Sequence, residues 1–165
     1  MPFSPSPETL ACWKSKGSTR ATDADIAKLE ARLGLKAPAS YVEFMKTYGD
    51  VEFSFDVNCQ FEYTYETPDR VERRTEAVSF IKSPSQAIEY YNGFQQDDKI
   101  GIPANLLPFA MDHGQGELLI EFGQAGERIF YWDFDAHDWE SGITRIGFVA
   151  NDMYDFINNL KPFDD

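Results

Sequence analysis

The chain has 165 residues, 42% hydrophobic and 15% aromatic, which is enough apolar material for one buried core and excludes a disordered or low-complexity segment. With 15 basic and 28 acidic side chains its formal net charge is −13, which argues against nucleic acid or anionic lipid as a direct partner. Two distant cysteines form neither a disulfide framework nor a zinc spacing, no stretch approaches the roughly 18 apolar residues of a membrane span, and no leader pattern opens the sequence, so a soluble, cytoplasmic protein is expected.

Residues 1–20 are rich in Pro and Ser without a sustained period and read as a loosely packed N-terminal arm, with 21–165 as the domain proper. Two short amphipathic helices follow. Thr22 is the expected N-cap of the first, with Asp25 three residues on as in a capping box, and Ile26, Leu29 and Leu33 share one face before Gly34 ends it. Pro38 suits the start of the second, whose stripe is Tyr41, Phe44, Met45 and Tyr48, and Gly49 stops it.

Residues 51–57 (VEFSFDV) and 60–66 (QFEYTYE) alternate apolar and polar positions and read as an antiparallel pair turning at Asn58 and Cys59. The charged segment 67–77 (TPDRVERRTEA) reads as a surface excursion, and 77–81 (AVSFI) as a short strand. Ser83, Pro84 and Gln86 carry the cap, first-turn Pro and reciprocal Gln of a middle helix through Ala87, Ile88 and Tyr91. Strands are then expected at 106–110, 117–123, 128–134 and 143–149, punctuated by Gly114, Gly116, Gly123 and Gly126. Asn151 is the expected cap of a last helix carrying Met153, Phe156, Ile157 and Leu160, with Pro162 beyond it. The expected fold class is α+β: a single domain with a mostly antiparallel curved sheet of about six strands, flanked by the N-terminal helix pair, the middle helix and the C-terminal helix.

Two blocks resemble the SUKH superfamily, which joins bacterial toxin-immunity proteins and fungal cell-wall regulators. The first is Ile26, Leu29, Glu30, Leu33 and Gly34, then Pro38, Tyr41, Phe44 and Gly49; the second runs from Ile102-Pro103 through Leu107-Pro108-Phe109-Ala110, Asp112, Gly114 and Gly116-Glu117 to Ile129, Tyr131, Trp132 and Asp133. The chain departs from the family pattern at Ala37, where Leu is usual, and at Glu117, where Asp is usual. The resemblance implies a non-catalytic protein-binding domain without a cofactor. For a compact member it implies an immunity protein that neutralises a cognate polymorphic or contact-dependent toxin. The alternative it implies is a regulatory or scaffolding module that binds an endogenous protein.

The charge is uneven: residues 1–96 hold 11 basic and 14 acidic side chains, and residues 97–165 hold 4 and 14. A basic partner would be steered to the second part, and many toxins that act on nucleic acids must present a basic groove to phosphates. The expected partner contacts are therefore Asp112, Glu117, Asp133, Asp135, Asp138 and Glu140 as charges, with Trp132 and Trp139 as aromatic anchors. The same segment, 133–140 (DFDAHDWE), permits another chemistry. Asp133, Asp135 and His137 at alternate strand positions would share a face and form the donor set of a metal-dependent hydrolase, but the stronger reading is that of solvated acids where a strand end runs into a loop, with no partner His beyond His113. Neither cysteine lies near a group that would activate a thiol, no Gly-x-Ser-x-Gly elbow is present, and 112–117 (DHGQGE) lacks the Lys-Ser/Thr of a phosphate loop.

Overall fold

The structure is a computed structural model that describes residues 4–15, 19–54, 59–66, 69–134 and 146–162. Its elements in chain order are α1 (Pro7–Ala11), β1 (Trp13–Ser15), α2 (Asp23–Leu33), α3 (Ala39–Thr47), β2 (Glu52–Phe53), β3 (Cys59–Glu66) and β4 (Val71–Ile81). They continue with α4 (Pro84–Gln96), β5 (Leu106–Asp112), β6 (Glu117–Glu121), β7 (Ile129–Trp132), β8 (Ile146–Ala150), α5 (Met153–Asn158) and β9 (Lys161–Pro162). The domain is α+β, as expected; the described strands form one nine-stranded sheet, and six of them close on themselves. Strands β4, β5, β6, β7 and β8 pair in order, β3 pairs with β4 on one side and, at Thr64 opposite Phe148, with β8 on the other. Each of these pairings is antiparallel. Closure removes the long exposed edges that an open sheet would leave.

Local chemistry starts the helices where the sequence indicates. Thr22 and Ser83 each form a complete capping box, with Asp25 and Gln86 as the reciprocal residues. Gly34 takes the left-handed C-cap at φ 69°. Gly49 has φ 77°, and a Cβ there would overlap the carbonyl of Thr19, so the chain crossing at the end of α3 requires glycine. The last helix starts one residue later than expected: Asp152 accepts from the Asp155 amide, while Asn151 instead donates its backbone N–H to Asp155.

Two expectations about the first half are corrected. Residues 60–66 do not pair with 51–54, the described part of the expected partner; β3 pairs with β4, from Gln60 opposite Ala77 to Glu66 opposite Val71, and β2 pairs with β1 and β4. The segment read as a surface excursion is thus most of an eleven-residue strand. Its alternation is hidden because Glu72, Arg74 and Glu76 hold positions opposite Tyr65, Tyr63 and Phe61, and Glu72 accepts from both the Tyr65 hydroxyl and Arg74. Residues 55–58, with Asn58 of the expected turn, lie outside the described residues.

The segment read as a loose arm is docked on the domain at several of its described positions. Ser6 caps α1, the Thr9 hydroxyl donates to the Ile157 carbonyl at 2.8 Å, and Trp13 meets the Tyr48 ring edge-on at 5.3 Å between centroids. Cys12 and Cys59 are both fully buried and not joined by a disulfide.

Large rings dominate the core. Phe61, Tyr63 and Tyr131 pack on one another, Phe61 and Phe109 each meet Phe156 of α5, and Tyr41 of α3 meets both Phe109 and Phe122. Edge-to-face pairs of this kind contribute about 0.5–1.5 kcal/mol each beyond their burial. A second apolar layer lies on the other face of β5 to β7, where Leu119 and Trp132 pack with Ile100, Ile102 and Leu106. Strand β6 is therefore buried on both faces, which explains why 117–121 (ELLIE) shows no polar alternation.

Candidate protein-interaction surface

Four of the expected contact residues are inside the protein, and the expectation that they offer surface charge or anchors is corrected. Asp112 ends β5. One carboxylate oxygen accepts from the amides of Gly114 at 2.7 Å and Gly116 at 3.1 Å, and the other accepts from the Tyr131 hydroxyl. A Cβ at Gly116 would overlap that hydroxyl and that carboxylate, so the Asp112-x-Gly114-x-Gly116 pattern is the structure of a β5–β6 hairpin. Asp133 accepts from the Tyr63 hydroxyl at 3.2 Å. Burial, with Asp112 and Asp133 beside them, holds the Tyr131 and Tyr63 hydroxyls protonated well above the usual phenol range.

Glu117 pairs with Lys82, which is 0% exposed, as Glu117 is 1% exposed, and the ammonium lies 4.0 Å from the centre of the Tyr90 ring. Burial dominates this pair: it pushes the Glu117 carboxyl up to about 7 against the pull of Lys82, and pushes Lys82 down from its ordinary value. Trp132 packs between Phe94 and Phe134, at 5.5 and 5.8 Å between centroids. These side chains organise the domain and are not presented to a partner. Asp135, His137, Asp138, Trp139 and Glu140 lie outside the described residues, so the proposed metal donors are reduced here to Asp133 on its tyrosine. Among the described residues no group of three or more His, Cys, Asp or Glu side chains is placed to hold a metal ion.

Three half-buried acids, Glu30, Glu43 and Glu127, lie around the connection between α2 and α3. Helix α3 has no capping side chain of its own, because Pro38 occupies its N-cap. Acceptors come from elsewhere: Glu30 of α2 accepts from the Ala37 amide, just before the cap, at 2.9 Å, and in the first turn Glu127 accepts from both the amide and hydroxyl of Ser40, at 2.9 and 3.0 Å. The Ser40 hydroxyl in turn accepts from the Met153 amide at 3.2 Å, which ties α5 to the same node. The turn between β6 and β7 is joined to the α2–α3 connection by the Gly123 amide, which donates to the Lys36 carbonyl at 2.9 Å.

Between these clamped segments runs a groove of about 560 Å³. Ile26, Ala37 and Pro38 form buried parts of its lining, Val42 and Gly123 contribute apolar surface, and Gln124 is exposed at its rim. Glu30, Glu43 and Glu127 supply carboxylates and Lys36 one cation. Glu43 also accepts from the Tyr154 hydroxyl, whose proton is held above the usual phenol range by burial, Glu43, Glu127 and Asp152. Glu127 belongs to the acids of the second half and Glu30 to the first motif block, and neither stands among the expected contact residues. The available signal was a helix start at Pro38 with no capping side chain, which requires an acceptor from a distant part of the chain.

A second cleft, of about 540 Å³, opens where β3 and β8 diverge beyond Thr64 and Phe148, and it is lined by Arg73 and Lys161 with Glu62 as its acid. Its charge is opposite in sign to that of the α2–α3 groove. No described helix is long and apolar enough to cross a membrane.

Residues 20–159 match the SMI1 / KNR4 family (SUKH-1), a span that includes both motif blocks, the closed sheet and the groove. No curated protein matches the chain.

Proposed function

The chain belongs to the SMI1 / KNR4 family (SUKH-1), and from that premise we propose that it is a non-catalytic protein-binding domain, an immunity protein that neutralises a cognate polymorphic or contact-dependent toxin in the bacterial cytoplasm. The observation that carries this reading is the family match across 140 residues, from 20 to 159. Net charge supports it: at −13, the chain complements a toxin that must present cations to nucleic-acid phosphates. The proposed charge contacts read from the sequence are Asp135, Asp138 and Glu140, with Trp139 as an anchor. Asp112, Glu117, Trp132 and Asp133 are withdrawn from that role because they are buried.

The test is co-purification with the toxin domain encoded by the neighbouring gene, repeated from low to high salt, together with growth of cells that express the toxin domain. A salt-sensitive one-to-one complex that restores growth is the expected result. Failure to bind that domain, with no rescue of growth, overturns the immunity reading.

A further inference from the structure

We infer that the groove between the α2–α3 connection and the β6–β7 turn is a docking site for an extended, lysine- or arginine-rich segment of a partner protein, with one aliphatic or aromatic side chain of that segment seated against Pro38, Val42 and Gly123. The inference rests on the protein-binding reading above and adds the place and the chemistry of the contact.

Three observations lead to it. The groove combines an apolar floor with three carboxylates, Glu30, Glu43 and Glu127, against one cation, Lys36. An apolar side chain flanked by cations satisfies both parts at once, whereas an acidic segment would meet like charge. Its walls are also already fixed. The Ala37 amide on Glu30, the Gly123 amide on the Lys36 carbonyl and the two bonds from Ser40 to Glu127 hold three chain segments in place. Docking there orders little of this chain, and the entropic cost of binding falls on the partner. Finally, the β3–β8 cleft of similar volume carries Arg73 and Lys161 and would repel the same segment, so charge distinguishes the two clefts.

The probe is a short synthetic peptide alternating lysine or arginine with leucine and phenylalanine, compared with its counterpart in which glutamate replaces each basic residue. Both are titrated into the full ¹⁵N-labelled chain at low and high salt, following backbone amide shifts. The basic peptide should move the amides of Ala39, Val42 and Gln124, weaken with salt, and leave those of Arg73 and Lys161 in place; the acidic peptide should not bind. Gln124 is exposed at the rim and makes no hydrogen bond on which the groove depends, so Gln124→Lys should fold normally and weaken the basic peptide by about three- to fivefold, and Gln124→Glu should strengthen it.

Equal binding of both peptides, shifts concentrated on the β3–β8 cleft, no binding of the basic peptide, or indifference to both Gln124 variants would overturn the groove. The two readings fail separately. A peptide seated in the groove with no capture of the toxin domain leaves the groove and removes immunity. A captured toxin domain whose hydrogen-exchange protection lies away from Ala39, Val42 and Gln124 leaves immunity and removes the groove.

Discussion

Lys82 and Glu117 carry opposite charges in a site where both are lost to solvent, so each depends on the other. Removing one partner leaves an uncompensated buried charge, and Lys82→Met should cost about 3–5 kcal/mol near neutral pH. Lys82→Met with Glu117→Leu, which removes both charges, should recover most of that loss. The pH dependence has a definite sign. The Glu117 carboxyl has an ordinary value of 4.5 and is raised to about 7 in the fold, so the folded chain binds the extra proton. Its contribution to stability is full below 4.5 and is lost as pH rises through about 7. Lys82→Met removes the cation that opposes this shift, so the single variant should be least impaired in acid and most impaired above neutrality. Urea denaturation between about pH 5 and pH 8 checks both variants, and a Lys82→Met penalty that does not change across that range would refute the account.

At the scale of elements, the helix starts divide into those that the sequence completes locally and one that it does not. Thr22 with Asp25 and Ser83 with Gln86 are three residues apart, so their boxes are legible in any reading of the chain. The first turn of α3 depends on Glu127, 87 residues away, and no local pattern announces it. Glu127→Ala should therefore destabilise the domain by about 1–3 kcal/mol, because it leaves the Ser40 amide and hydroxyl without their acceptor. Denaturation together with hydrogen exchange at the Ser40 amide checks this, and a change within about 0.5 kcal/mol would place the node outside the stabilising framework. Strand β4 illustrates the converse problem. Its charged alternate positions imitate a solvated loop, and only the pairing with β3 identifies them as a strand face.

For the whole molecule, net charge has to be separated into groups that fold the protein and groups that face a partner. Asp112, Glu117, Glu121 and Asp133 are buried, the first three bonded to Tyr131, Lys82 and Arg128 and the last to Tyr63. The acidic-surface reading thus predicts two different outcomes for charge reversal. Asp138→Lys should weaken capture of the toxin domain and flatten its salt dependence while leaving the melting transition in place. Asp133→Lys should instead lower stability, since it sets a cation beside the buried Tyr63 hydroxyl in place of its acceptor. Salt-dependent binding measured beside thermal melting separates these effects, and normal binding by a folded Asp138→Lys variant would remove the 133–140 segment from the interface.

The sequence by itself determined the α+β class, the α2–α3 module, two capping boxes, the Gly34 cap, and the four strands from β5 to β8. Each depends on residues within a few positions of one another, where side-chain period and turn chemistry act directly. Tertiary structure alone decided that the sheet closes at Thr64 and Phe148, that residues 4–15 pack against the domain, and which acids face outward. Those outcomes arise from contacts between distant segments. A carboxylate has the same composition and local spacing whether it accepts a buried tyrosine proton or rims a groove, and only packing distinguishes the two.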